Sequence, residues 1–286
     1  MARPIVSLLT DFGLRDPSAA ICRAVVLGIC PDAEVLDLAH DVRKFAIGEG
    51  ALSLWAALPY VPVGVHVAVV DPGVGTARRP VALRVARGDV LIGPDNGLLM
   101  PAADRLGGIT EARELANEAY RLPIVTATFH GRDVFAPAAG HMARGVPFAS
   151  LGPTLDPASL VPSPLPVPRP VDGGLATEIV YVDTFGNVKL SALLVDVRAT
   201  LGEPVGRRFR VTLGDGREHL VPWSPTFGER RAGEPLLYED SYGRACIGVN
   251  QGNGAEALGL TGGMAVTISP EGAPAERVDG LAPGSV

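Results

Sequence analysis

Residues 65–79 read VHVAVVDPGVGTARR, and the break at their centre decides how the chain folds. Val65–Val70, apolar but for His66, is read as a buried strand, and it stops at the carboxylate of Asp71. Pro72, Gly73 and Gly75 turn the backbone tightly, and Arg78 follows seven residues after Asp71. A second loop of similar build, TFHGRD at 128–133, places His130 before a glycine on a strand-to-helix turn. An Asp, an Arg and a His on glycine-bearing loops after apolar strands are the ingredients for holding a water molecule or an anion. Either loop taken alone reads more readily as a plain turn; the two together point to a site.

Working outward, the first half alternates strand and helix. Ile5–Leu9, Glu34–Leu38, Val81–Ala86 and Val90–Ile92 read as further strands. Ser18–Cys30 reads as a helix opened by Asp16-Pro17-Ser18, Ala46–Leu58 as a helix closed by Pro59, and Asp133–Ala143 as a helix with Pro137 in its first turn. This predicts an α/β domain over residues 1–161, a mostly parallel sheet with helices on both faces. Ligands of such sheets bind outside the carboxyl ends of the strands. Asp11, Asp71 and Asp95, each at or just after a strand end, are expected to converge there, although Asp also favours turns with no ligand at all.

Residues 162–170, PSPLPVPRP, carry proline at every second position and exclude a helix or central strand. Residues 162–172 are read as a stiff polyproline spacer rising roughly 3.1 Å per residue. Beyond it, Ala176–Val182, Phe209–Leu213, His219–Val221, Arg244–Val249 and Met264–Ile268 are short strand-like runs between Gly-rich turns. Residues 173–286 are therefore expected to form a smaller all-β domain, a barrel or sandwich of mainly antiparallel strands.

Composition narrows the partners. A net charge of −6 with no basic run argues against nucleic acid as a partner. The 25 cationic residues are all Arg except Lys44 and Lys189. Cys22, Cys30 and Cys246 show no CxxC spacing and no even pairing, which argues against a disulfide framework or a zinc site. The N-terminus lacks a signal-peptide pattern, and no apolar run approaches the ~20 residues that span a bilayer. A cytoplasmic protein with no membrane partner is expected.

Several motifs stand in one order: TDFG at 10–13, Asp16, DLAH at 37–40, VDPGVGT at 70–76, PDNGLL at 94–99, TFHGRDVFAP at 128–137, DTFGN at 183–187, DSYG at 240–243 and VNQ at 249–251. In these the chain resembles the S-adenosyl-L-methionine (SAM) hydrolases, or SAM hydroxide adenosyltransferases, the hydrolytic relatives of fluorinase and chlorinase. The resemblance spans most of the chain. It implies that water attacks the ribose C5′ of SAM and expels methionine, giving adenosine and L-methionine, with a catalytic set on Asp71, Arg78 and His130. It also implies an α/β domain followed by a β barrel, and a homotrimer with SAM between the first domain of one subunit and the second of its neighbour.

Binding positions follow from the same resemblance. Asp11 matches the carboxylate that grips the ribose hydroxyls. Asp16 and Ser18 match positions near the methionine end, and equally read as ordinary helix-start residues. Phe45 stands where halogenating relatives carry a tryptophan beside the sugar; a core phenylalanine is the alternative. Phe185 and Asn187 match adenine contacts, Phe227 is a further stacking candidate, and Asp183 matches a contact to the methionine ammonium. Ser241 and Tyr242 match the pair that holds the methionine carboxylate. Several relatives place an arginine at the second position, so a neutral Tyr242 leaves open which cation serves here. Val249 and Gln251 match main-chain contacts to adenine.

The chemistry of the residues agrees. A sulfonium leaves as a neutral thioether, so no general acid is required, and the work lies in aligning and desolvating the nucleophile. Asp71 can accept a proton or hydrogen bond from water, Arg78 can lock its orientation, and His130 can offer either ring nitrogen. The spacing does not decide which group takes the proton. No HxH, HExxH or cysteine cluster provides a metal site, so neither metal nor cofactor is expected; SAM is the substrate. A halogenase of the same family is the nearest rival, disfavoured because an ionised Asp71 at the nucleophile position repels a halide. Others are a SAM or adenosine sensor without turnover, and a metal-dependent hydrolase built on Asp11, Asp71, Asp95 and His130.

Overall fold

Every residue of Val65–Val69 is buried, and the strand pleat sorts them onto two separate cores. Val65, Val67 and Val69 pack with Cys22, Val26, Phe135 and Ala139, while Ala68 and the following Val70 pack with Leu54, Leu98 and Ala102. A strand apolar on both sides therefore means a sheet covered on both faces. The computed structural model describes residues 3–272, in two units, Met1–Pro164 and Leu165–Val286.

The first unit runs β1 (Ile5–Thr10), α1 (Ser18–Ile29), β2 (Glu34–Ala39), α2 (Ile47–Ala57), β3 (Val65–Val69), β4 (Pro80–Val85), β5 (Val90–Pro94), α3 (Met100–Arg105), β6 (Ile109–Glu114), α4 (Ala136–Ala143) and β7 (Thr154–Leu155). Its sheet has the order β2-β1-β3-β5-β4-β6-β7. Helices α1 and α4 supply one core and α2 and α3 the other. Gly131–Phe135, which leads into α4, is wound as a π-helix, a local form often found at functional sites.

The expectation of a mostly parallel sheet needs correcting to a mixed one. β2, β1, β3 and β5 are parallel, but β4 lies antiparallel to β5 and β6, and β7 antiparallel to β6. The cause is connection length: only Ala86–Asp89 joins β4 to β5, a hairpin link too short for a crossover.

Fully buried Ser7, His66 and Asp89 form a chain away from the strand ends that carry Asp11 and Asp71. Ser7 Oγ meets His66 Nδ1 at 2.8 Å, and His66 Nε2 meets Asp89 Oδ1 at 2.9 Å. Burial raises the Asp89 pKa, but the bonds from His66, Arg87 and the Gly64 N–H outweigh it and hold the carboxyl well below its usual range. With no access to solvent this triad braces β1 against β3.

The second unit holds β8 (Arg169–Val171), β9 (Gly174–Val182), β10 (Val188–Leu193), α5 (Leu194–Leu201), β11 (Arg208–Leu213), β12 (Glu218–Pro222), β13 (Pro235–Glu239), β14 (Arg244–Val249), α6 (Gly254–Leu258) and β15 (Ala265–Pro270). All its strand ladders are antiparallel, in the order β12-β11-β15-β9-β10-β14-β13, with β8 added to β9. A bridge between Trp223 and Leu237 brings the two end strands together, so the sheet is a nearly closed barrel around Phe209, Val211, Ile247 and Ile268. β8 falls within the proline-rich stretch, and as a peripheral strand it tolerates Pro170.

Candidate active site

The carboxyl ends of β1 and β3 lie side by side, because Thr10 pairs with Val69 and the Asp11 N–H donates to the Val69 carbonyl at 3.3 Å. The loop after β3 then meets the loop before α4. Gly75, at φ +78°, passes so near Ala127 that a Cβ there would stand 2.5 Å from the Ala127 carbonyl oxygen. Only glycine fits both the left-handed conformation and the close approach. A cavity of about 270 Å³ opens at this junction, lined by Asp11, Phe12, Lys44, Phe45, Asp71, Val74, Phe129 and His130 among others.

Arg78 holds the polar groups together. Its Nε donates to Asp71 Oδ1 at 3.1 Å and its Nη2 to Asp71 Oδ2, a bidentate pair whose side chains are 7% and 5% exposed. The same Nη2 reaches His130 Nδ1 at 3.1 Å. A guanidinium can only donate, so Nδ1 is the acceptor and the ring proton resides on Nε2. Burial lowers the His130 pKa, and the Arg78 cation lowers it further against the opposing carboxylates of Asp71 and Asp133. His130 is thus a neutral imidazole at neutral pH. Arg78 Nη1 is buried with no protein acceptor, an unusual state for a guanidinium donor.

Asp11, Asp71 and Asp95 do not all converge. Asp11 and Asp71 line the cavity, whereas Asp95 turns to Arg79, accepting its Nε at 2.9 Å and Nη2 at 2.5 Å, and takes the Val161 N–H at 2.9 Å. The β4–β5 hairpin is the reason, since it pairs Pro80 with Pro94 and sets Arg79 opposite Asp95. Asp71 gives both oxygens to Arg78, and Asp95 gives Oδ2 to Arg79 and Oδ1 to the Val161 N–H, which leaves the set Asp11, Asp71, Asp95 and His130 poorly suited to a metal. Among the described residues no group of three or more His, Cys, Asp or Glu side chains is arranged to hold one.

Phe45 is 69% exposed beside the cavity, not a core residue. Its backbone stands at φ 66°, and its N–H donates to Asp11 Oδ2 at 2.9 Å. Gln251, at φ 54°, is the other non-glycine residue with positive φ among those described. Both were singled out from the sequence, and strain of this kind persists only where surroundings enforce it. Asp16 and Ser18 do not line the cavity; the Asp16 carboxylate accepts the Ser18 N–H at 2.9 Å at the start of α1.

In the second unit, Asp183 organises its own turn. Its Oδ1 accepts the N–H groups of Phe185 and Asn187, both at 2.9 Å, and its Oδ2 the Asn187 side-chain amide at 3.0 Å. The Phe185 ring is 77% exposed. Gly186 has φ +82°, and a Cβ there would collide with Asn253. Asn187 and Phe227 flank Gly248 on β14, and the Phe227 ring packs against Tyr238 at 4.9 Å between centroids. Val249 is buried at the end of β14.

Ser241 and Tyr242 lie on a turn built around Asp240, whose Oδ1 accepts the N–H groups of Tyr242 and Arg244 at 2.9 Å. Lys189 Nζ donates to Asp240 Oδ2 at 2.7 Å and stands 5.3 Å from the centre of the Tyr242 ring. Burial works against this ammonium, but the Asp240 partnership more than offsets it and raises the Lys189 pKa. Lys44, lining the first cavity, donates to the Asp11 carbonyl. Sequence reasoning passed over both; the available signal was that the only two lysines among 25 cations stand at the two candidate clusters.

A mixed α/β sheet with an Asp–Arg–His cluster at its strand ends, joined in sequence to a β barrel, defines a two-unit protein with a preformed polar site. Residues 6–152 match the N-terminal domain, and residues 177–267 the C-terminal domain, of the SAM hydroxide adenosyltransferases, and the chain belongs to this family. It is 44% identical over 266 residues to the (R)-S-adenosyl-L-methionine hydrolase of Salinispora tropica, covering 93% of this chain and 98% of that one. Identity to the fluorinase of Actinopolyspora mzabensis is 28% over 94% of this chain and 98% of the other. A crystal structure of an uncharacterized conserved protein from Thermotoga maritima superposes with a TM-score of 0.86 at 31% identity, covering 92% of this chain and 99% of that one.

Among the described residues no helix is long and apolar enough to cross a membrane. The three cysteines are free and buried, and burial pushes the Cys22 thiol up to about 12.

Proposed function

We propose that this protein hydrolyses SAM to adenosine and L-methionine. The observation that carries this reading is the single guanidinium of Arg78 binding both oxygens of Asp71 and Nδ1 of His130 beside a cavity at the strand ends. Water bound there attacks the ribose C5′; the C5′–S bond breaks, and its electron pair leaves with the sulfur as the neutral thioether of methionine. His130 Nδ1 is occupied by Arg78 and Nε2 carries hydrogen, so the imidazole donates to the water oxygen. That leaves Asp71, on its remaining lone pairs, to receive the proton.

Around that centre, Asp11 binds the ribose hydroxyls and Phe45 covers the sugar. Small-molecule ligands fill pockets of roughly 300–1,000 Å³, so a cavity of about 270 Å³ takes only the reacting part of SAM. Phe185, Asn187, Phe227, Val249 and Gln251 supply the adenine contacts, and Asp183, Ser241 and Tyr242 those to the methionine end, with Lys189 as the nearby cation. Asp16 and Ser18 serve only at the margin. We further propose a homotrimer in which a neighbour's second unit completes each site, a cytoplasmic location, and no requirement for metal or cofactor. The name of the Salinispora relative makes the (R) sulfonium epimer the first substrate to offer.

The test is chromatography of chelator-treated protein with each SAM epimer, with and without chloride, beside Asp71→Ala. Adenosine and methionine, indifferent to chloride and nearly absent with the variant, uphold the reading. 5′-Chloroadenosine, or binding without product, refutes it.

A further inference from the structure

Asp71 and Arg78 are the two ends of one loop, and the residues just outside them, Val70 and Arg79, are both held by one dipeptide. Asn96 Nδ2 donates to the Val70 carbonyl at 2.9 Å, while Asn96 Oδ1 accepts the Leu98 N–H at 3.2 Å. Asp95 Oδ2 accepts the Arg79 Nε and Nη2, and the Asp95 N–H donates to the Arg79 carbonyl at 2.9 Å. Arg79 Nη2 continues to the Ser159 carbonyl at 2.6 Å, so the clamp is itself anchored.

Resting on the hydrolytic reading, we propose that Asp95 and Asn96 are positioning residues that fix the two ends of the 71–78 loop. They thereby set where Asp71 and Arg78 meet and, through Arg78, where His130 stands. Residues 72–77 are exposed or half-buried; Gly75 rests against Ala127, and the Thr76 hydroxyl donates to the Gly73 carbonyl at 2.7 Å. The backbone bonds inside the loop are long, Val74 N–H to the Asp71 carbonyl at 3.3 Å and Thr76 N–H to the Gly73 carbonyl at 3.2 Å. A displacement of about 1 Å in reacting groups costs on the order of a hundredfold in rate, so slack at either end should appear in turnover before it appears in binding.

The test uses full-length Asn96→Ala, Asn96→Asp and Asp95→Asn. Asn96→Asp keeps the side-chain shape and the Leu98 acceptor but removes the donor to Val70. Arg113→Ala is the control, because Arg113 braces the far edge of the same sheet through Glu111 and the Gly152 carbonyl. The clamp variants should lose kcat about ten- to a hundredfold with KM for SAM within about threefold, while the control loses thermal stability alone. A second readout needs no turnover: the ¹⁵N resonance of His130 Nδ1, assigned with His130→Gln, should move in the Asn96 variants and not in Arg113→Ala. Wild-type protein inert toward SAM would sink the hydrolytic reading and leave this resonance to judge the clamp. An unmoved His130 signal, or kcat within twofold of wild type despite lowered stability, overturns the proposal.

Discussion

Arg78 and His130 meet at 3.1 Å, guanidinium Nη2 against imidazole Nδ1, although 52 residues separate them. One donor group therefore fixes the Asp71 orientation and the His130 tautomer together. Planarity is essential to this double role, because the Nε–Nη2 edge matches the carboxylate while Nη2 still reaches the ring. Arg78→Lys keeps the charge and loses the fork. Its kcat should fall at least a hundredfold, nearly as far as with Arg78→Ala. Steady-state kinetics of the two variants decide the matter; recovery by lysine to within tenfold of wild type would mean that charge alone suffices.

The depressed His130 pKa sets a pH signature. Burial and Arg78 favour the neutral ring in the folded protein, whereas the unfolded chain titrates near ~6.5. As pH falls through that value the unfolded chain takes up the proton first, so this group's contribution to stability declines with falling pH. Turnover, which uses the neutral ring, should stay level through pH 6.5 and fall only at lower pH. A pH–rate profile with its acid limb at or above 6.5 contradicts the assignment, and His130→Gln should abolish the limb.

How far the molecule was legible depended on whether a feature was local. The pleat of Val65–Val69, the glycines before Arg78 and the glycine after His130 are written in neighbouring residues, and the sequence can be read there directly. The sheet's direction was not. Ile109–Glu114 reads as polar because four of its six residues are charged or hydroxylated, and Pro235 disguises β13, so neither was anticipated. The same applies to Asp95, whose destination follows from a hairpin register, and to Lys189. Lys189 faces Cys246 across β10 and β14, and no linear spacing brings it to Tyr242.

Phe45 offers a separation of stability from function. A non-glycine residue in the left-handed region costs roughly 1 kcal/mol, and glycine relieves that strain while adding a similar entropy cost in the unfolded chain. Phe45→Gly should therefore melt within about 2 °C of wild type, whereas Phe45→Ala, still strained, should gain nothing. Both lose the exposed aromatic face and should raise KM for SAM about tenfold, near 1.4 kcal/mol. An unchanged KM would remove Phe45 from the site.

Lys189 and Asp240 make the sharpest case for coupling. Their side chains are 13% and 5% exposed, and Asp240 also organises the turn that carries Ser241 and Tyr242. Lys189→Met strands a buried carboxylate and should cost about 3 kcal/mol, the range for breaking a buried pair from one side. Asp240→Asn keeps the turn's N–H acceptor but strands the ammonium, at a similar cost. With both changed, no lone charge remains, and the double variant should lose clearly less than the two single losses together, a coupling of at least about 1 kcal/mol. Denaturant melts of the four proteins measure this directly. Affinity for SAM should not follow stability: the double variant, refolded but without the cation beneath Tyr242, should still bind SAM at least tenfold more weakly. Wild-type affinity in a stable double variant would exclude Lys189 from the methionine end.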